Sequence, residues 1–132
     1  SNYKGKNIVI FFFPRADTSG CTAESIAFTN LQNDFNTLNC IVIGISKDNV
    51  KKQAKFREKY NLSCELGADF ENDVCEQFGV WVEKSMYGRK YMGIQRATFL
   101  SNNSGIITNV WEKVKVPGHA EEVLKAVREL NI

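Results

Sequence analysis

Proline, histidine and long apolar runs are scarce in this chain, and each scarcity excludes something. Among 132 residues there are two prolines and one histidine, His119. The longest apolar stretch, Ile8–Pro14, falls far short of the ~18–20 residues needed to cross a bilayer, so a membrane-spanning role is excluded. Four cysteines, Cys21, Cys40, Cys64 and Cys75, are too few and too scattered for a disulfide-stapled secreted scaffold. They predict a reducing, cytoplasmic setting. No two cysteines have the short spacing of a zinc site, and no Cys-x-x-Cys pair is present, which disfavours a metal centre and a thioredoxin-type disulfide reductase. Neither sign of charge dominates: 17 basic and 15 acidic residues are interleaved, a pattern that favours solubility and gives no electrostatic footprint for nucleic acid. Ser1–Lys6 is polar and flows straight towards a strand, without the pattern of a signal peptide.

What is present is enough apolar surface for one core. Hydrophobic residues make up 43% of the chain and aromatics 11%, which predicts a single folded domain over residues 1–132. Residues 8–13, Ile-Val-Ile-Phe-Phe-Phe, read as a strand buried on both faces, ended by Pro14. From Thr22 to Leu38 the apolar positions Phe28, Leu31, Phe35 and Leu38 recur at helical spacing. Ile41–Ser46 reads as a second strand. Asp48 is expected to cap a helix running to Tyr60, with Val50, Ala54 and Phe56 inward. Leu66–Ala68 is a candidate third strand, and Glu71–Phe78 a short helix turning Val74, Cys75 and Phe78 inward. Ile94–Leu100 and Ile106–Trp111 flank a turn-rich segment and predict a hairpin. After Pro117-Gly118, residues Ala120, Val123, Leu124, Val127 and Leu130 make the stripe of a final helix. This order predicts an α/β fold with a mixed sheet and helices on both faces, as in thioredoxin-like proteins.

The loop after the first strand carries the chemistry. It reads Pro14-Arg-Ala-Asp-Thr18-Ser-Gly20-Cys21-Thr22 and delivers Cys21 to the first turn of a helix. There the unpaired N–H groups and the helix dipole favour the thiolate, the nucleophilic form of sulfur. Gly20 lets backbone N–H groups approach a small substrate, Thr18 supplies a hydroxyl three residues before the sulfur, and Pro14 shields the thiolate from water. Asp17 and Glu24 read as helix-end electrostatics rather than as acid–base groups.

The Pro-x-x-x-Thr-x-x-Cys pattern after an aromatic-rich strand resembles the peroxiredoxins, and the chain most resembles their bacterioferritin-comigratory or Q-type subgroup. The likeness extends through Val74–Trp81, Met86–Gly93, Arg96–Leu100 and Val114–Leu124. It implies that Cys21 is the peroxidatic cysteine, that Pro14 and Thr18 are its motif partners, that Arg96 is the arginine of the site, and that Gly20, Thr18 and Arg96 contact substrate. Arg96 stands in an otherwise apolar stretch, Ile94-Gln-Arg-Ala-Thr-Phe99, where a permanent charge needs a partner. The implied activity is thiol-dependent reduction of hydrogen peroxide and organic hydroperoxides through a Cys21 sulfenic acid, without metal, flavin or haem. The implied partners are a peroxide and an external thiol such as thioredoxin, glutaredoxin or glutathione, acting on a monomer. A family N-terminal hairpin of ~20 residues is expected to be missing from this chain.

Two departures matter. Many members of the subgroup place a resolving cysteine five residues after the first, where this chain has Ile26, or in the following helix, where it has Arg57. A one-cysteine enzyme is therefore expected, with Cys64, Cys75 and Cys40 as alternative resolvers. Ser19 replaces a usual proline, with little expected effect. Cys40 and Cys75 read first as core residues, and His119 as a structural or capping residue. The basic and aromatic stretch Glu83–Met92 reads as a solvated loop at the rim of the site. A thiol-based peroxide sensor or disulfide relay on the same fold is the competing function.

Overall fold

The computed structural model describes residues 5–14, 19–62, 65–69, 74–86, 88–112 and 114–130. Strand β1 (Asn7–Phe12) leads to helices α1 (Ser19–Asn30) and α2 (Gln32–Thr37), strand β2 (Cys40–Ser46), helix α3 (Val50–Lys59), strand β3 (Glu65–Ala68) and the short helix α4 (Val74–Gln77). Strands β4 (Trp81–Met86), β5 (Arg89–Ile94), β6 (Ala97–Ser101) and β7 (Ile107–Trp111) follow, and helix α5 (His119–Leu130) ends the described chain. The main sheet has the order β3-β2-β1-β6-β7. β1, β2 and β3 are parallel, whereas β6 and β7 are antiparallel to their neighbours. This is the expected thioredoxin-like α/β order.

Alternation along β1 divides the core. Val9, Phe11 and Phe13 join Phe28, Phe35, Phe56, Val123 and Val127 on one face. Phe12 and Ile10 point to the other, against Cys75, Val80 and Ile94. The Phe11 ring stacks on Phe28 at 4.7 Å, and Gly44 makes this possible, because a Cβ there would stand 2.5 Å from the Phe11 ring. The first face is covered by α1, α2, α3 and α5. The second is covered by α4 and a separate two-stranded sheet of β4 and β5.

Several local expectations need correction. The helix read from Thr22 to Leu38 is two helices: Leu31 leaves helical geometry and its N–H turns back to Phe28 O at 3.2 Å, although Phe28 and Phe35 keep the apolar stripe across the break. Asn49, not Asp48, caps α3, accepting from Lys52 N at 2.8 Å. Asp48 is instead held by the Ser46 hydroxyl at 2.7 Å. Val50 is 74% exposed and Ala54 is exposed, while Gln53 and Phe56 turn inward, Gln53 donating to Ser46 Oγ and to Gly67 O. Ile94 belongs to β5, so the antiparallel pair after it is β6 and β7. The stretch Glu83–Met92 is not a loop but most of the β4–β5 hairpin. The sequence does not mark these strands, because Glu83-Lys84-Ser85 and Arg89-Lys90-Tyr91-Met92 lack the strict polar–apolar alternation of a half-buried strand.

Candidate functional site

Helix α1 begins at Ser19, so Cys21 stands in its first turn as the sequence predicts. The Cys21 side chain is wholly buried, 0% exposed. Arg96 reaches it from the other side of the chain. It lies in the short connection between β5 and β6 rather than within a strand, and its backbone carbonyl accepts from Val114 N at 3.0 Å. The guanidinium is forked across two acceptors: Nη2 donates to Cys21 Sγ at 3.2 Å and Nη1 to Glu24 Oε1 at 2.7 Å. A planar guanidinium serves both with parallel donors, which a lysine ammonium does not.

Glu24 is the residue that sequence reasoning undervalued. It is 1% exposed and forms a buried ion pair with Arg96 instead of lining the helix end. Its Oε2 has no hydrogen-bond partner among the described residues. Burial therefore pushes the Glu24 carboxyl up to about 7, against the lowering pull of the Arg96 charge and hydrogen bond. Burial also opposes the Arg96 charge, but Glu24 and the Cys21 sulfur outweigh it and hold the guanidinium protonated more firmly than in water. The signal available in the sequence was spacing: Glu24 follows Cys21 by three residues and so shares its helix face.

Gly20 contributes in an unexpected way. A Cβ at this position would stand 3.1 Å from Arg96 Nη2, so the missing side chain leaves room for the guanidinium beside the sulfur. Pro14 is half-buried just beyond β1. Thr18 lies outside the described residues, as do Asp17 and Cys64.

The other cysteines sit in different surroundings. Cys40 opens β2 in the first core cluster, and burial pushes its thiol up to about 12. Cys75 is the second residue of α4 and lies in the second cluster, where burial and the neighbouring Asp69 push its thiol up to about 12. Ile26 packs against the first cluster, and Arg57 lines a cavity of about 220 Å³ with Val50, Gln53, Ala54, Leu66 and Ala68. His119 is buried, with Nε2 at 2.8 Å from Thr98 Oγ1 and its ring against Phe28 and Trp111, which is the structural role expected of it. Among the described residues no group of acidic, histidine and cysteine side chains is suited to hold a metal, and no helix is long and apolar enough to cross a membrane.

A buried sulfur bonded to a permanent cation that is itself anchored by a carboxylate is an arrangement for stabilising negative charge on sulfur and on an oxygen beside it. Comparison with known proteins agrees with that chemistry. The model of the AhpC/TSA family matches residues 1–110. A bcp protein of Coxiella burnetii is 47% identical over 121 residues, 92% of this chain and 80% of its own length. Peroxiredoxin Bcp of Bacillus subtilis is 41% identical over 131 residues, 99% of this chain and 83% of that protein. The bacterioferritin comigratory protein of Xanthomonas campestris, whose structures concern alkyl peroxide reduction, superposes with a TM-score of 0.94 at 36% identity, covering 98% of this chain and 83% of that one. On this family match and near full-length identity, the chain belongs to the AhpC/TSA family and, within it, to the Bcp or Q-type peroxiredoxins, which are thiol-dependent peroxidases.

Proposed function

We propose that Cys21 is the peroxidatic thiol, that Arg96 and Glu24 prepare it, and that the enzyme is of the one-cysteine type. The observation that carries this reading is the Arg96 fork, with 3.2 Å to the sulfur and 2.7 Å to Glu24. In the reaction, the Cys21 thiolate attacks the terminal oxygen of ROOH. An S–O bond forms, the O–O bond breaks, and RO⁻ leaves and takes up a proton to give ROH, or water when R is hydrogen. Cys21 is left as a sulfenic acid. Arg96 lies where charge passes from sulfur to the departing oxygen, and Glu24 keeps its fork aimed there. Pro14 and Thr18 are assigned as motif partners of Cys21, Pro14 limiting water access and Thr18 donating its hydroxyl. Substrates are hydrogen peroxide and small organic hydroperoxides, the latter by analogy with the alkyl peroxides of the Xanthomonas protein.

Recovery falls to an external thiol. One thiol condenses with the sulfenic acid to give a mixed disulfide and water, and a second releases Cys21 and leaves as a disulfide. Three observations support this. The two usual resolving positions hold Ile26 and Arg57. Cys40 and Cys75 are buried, with thiols pushed up to about 12, so few of their molecules are thiolate near neutrality. All three described cysteines are free, as suits a reducing, cytoplasmic compartment. The test is continuous peroxide consumption with a thiol supply. Cys21→Ser is expected to abolish turnover, and undiminished consumption by that variant overturns the assignment.

A further inference from the structure

Arg96 is one cation held between two acids. Nη2 donates to Cys21 Sγ at 3.2 Å and Nη1 to Glu24 Oε1 at 2.7 Å. Cys21 is 0% exposed, Glu24 1%, and the Arg96 side chain 17%. Were the thiol and the carboxyl both ionised, this enclosed site would carry one uncompensated negative charge, which is costly away from water. The two acids therefore hold one proton between them, and nucleophilic attack requires that this proton leave the sulfur. Glu24 has a place for it. Oε1 is taken by Arg96, whereas Oε2 is buried with no hydrogen-bond partner among the described residues. A charged oxygen left in that position costs more than a neutral one. Burial accordingly raises this carboxyl to about 7 in spite of Arg96. Two other titratable groups, Lys84 on β4 and His119 on α5, also feel the Arg96 charge, and burial makes both weaker bases. His119 has its Nε2 engaged with Thr98 Oγ1 at 2.8 Å. Neither is an acid that can neutralise Arg96, so among the described groups it is Glu24 that alternates with Cys21 as its anion.

From this geometry, and resting on the peroxidase reading above, we propose that Glu24 is the proton donor of the reaction, taking the proton of the Cys21 thiol and giving it to the oxygen that leaves. The thiol proton passes to the Glu24 carboxylate, leaving a thiolate, a guanidinium and a neutral acid. The thiolate attacks the terminal oxygen of ROOH: the S–O bond forms, the O–O bond breaks, and the peroxide's own hydrogen stays on the sulfenic acid. RO⁻ departs beside Arg96. Glu24 protonates it to ROH and returns to carboxylate. At every stage Arg96 faces a single anion, first the carboxylate, then the thiolate, then the alkoxide, and then the carboxylate again. No net charge is buried in the site along the way.

A leaving group that needs no proton separates this role from that of holding the guanidinium. Single-turnover oxidation of the reduced wild type and of Glu24→Gln is measured with two peroxides. Tert-butyl hydroperoxide releases a strongly basic alkoxide, whereas peracetic acid releases acetate, an anion stable in water. The glutamine amide keeps an oxygen that accepts from Arg96 Nη1 but has no proton to give. Glu24→Gln is expected to slow the reaction with tert-butyl hydroperoxide about 10²-fold and that with peracetic acid less than about threefold. Equal slowing with both peroxides assigns Glu24 to positioning alone and overturns the proposal, as does no slowing with either. An infrared difference measurement needs no variant. Oxidising the reduced wild type near neutrality with one equivalent of hydrogen peroxide is expected to remove a protonated-carboxyl band and add a carboxylate band, and the absence of that exchange also overturns the proposal. If the wild type consumes neither peroxide, the peroxidase reading fails instead.

Discussion

Cys21 and Cys75 are both wholly buried free thiols, each in the first turn of a helix, and they differ in what faces them. Cys21 meets a guanidinium at 3.2 Å. Cys75 meets Asp69, whose Oδ2 accepts from the Cys75 backbone N–H at 2.8 Å and lies 3.4 Å from Lys47 Nζ. Lys47 is committed elsewhere as well, to Glu76 at 2.6 Å and over the Trp81 ring at 5.2 Å. A carboxylate beside a buried sulfur discourages its ionisation, and a guanidinium favours it. Asp69 uses its charge to hold the start of α4, so that region is built for structure. Arg96 directs its charge at a sulfur, with Glu24 holding the guanidinium from its other edge, as the proposed reaction at Cys21 requires. Burial and residue type alone do not distinguish the two cysteines, and the neighbouring charge does.

Removing the partners one at a time tests this contrast. Arg96→Met takes away the feature that Cys75 lacks and is expected to slow the single-turnover reaction with hydrogen peroxide by about 10²–10³-fold. Glu24→Gln acts through pH. The folded carboxyl titrates near 7 and the unfolded one near its ordinary 4.5. Between those values the folded protein holds a proton that the unfolded chain has lost. This contribution to stability is therefore complete below the lower value and lost as pH rises through 7, by about 3 kcal/mol. Chemical denaturation near pH 5 and near pH 8 should show that fall in the wild type and a smaller one in Glu24→Gln. Asp69→Ala is expected to cost about 2 kcal/mol of stability by leaving a buried N–H unpaired, with the rate of peroxide attack retained. Gly20→Ala forces the guanidinium to move and should lower the rate of peroxide attack by about threefold to tenfold, with a cooperative unfolding transition preserved.

The main strands and the final helix were legible because their apolar patterns are unambiguous: the Ile8–Phe13 run and the Ala120–Leu130 stripe each have one good reading. The cap of α3 was misread because Asp48 and Asn49 are both competent caps, and only the Ser46 hydroxyl, placed by the end of β2, takes Asp48 out of contention. The β4–β5 hairpin was missed because its outward residues, among them Tyr91 and Met92, blur the polar alternation of a solvated ribbon. At the site, Cys21 and Arg96 could be picked out from local sequence. The pairing of Arg96 with Glu24 spans 72 residues and depends on β6 lying beside β1, which no local pattern encodes.

The most direct test of the central claim is intact mass and peptide mapping of the reduced protein after one equivalent of hydrogen peroxide, with a sulfenic-acid trap present. The expected result is a single trapped adduct on Cys21, with Cys40 and Cys75 recovered as free thiols. An adduct on Cys75, or a disulfide joining Cys21 to any other cysteine of the chain, would contradict the account.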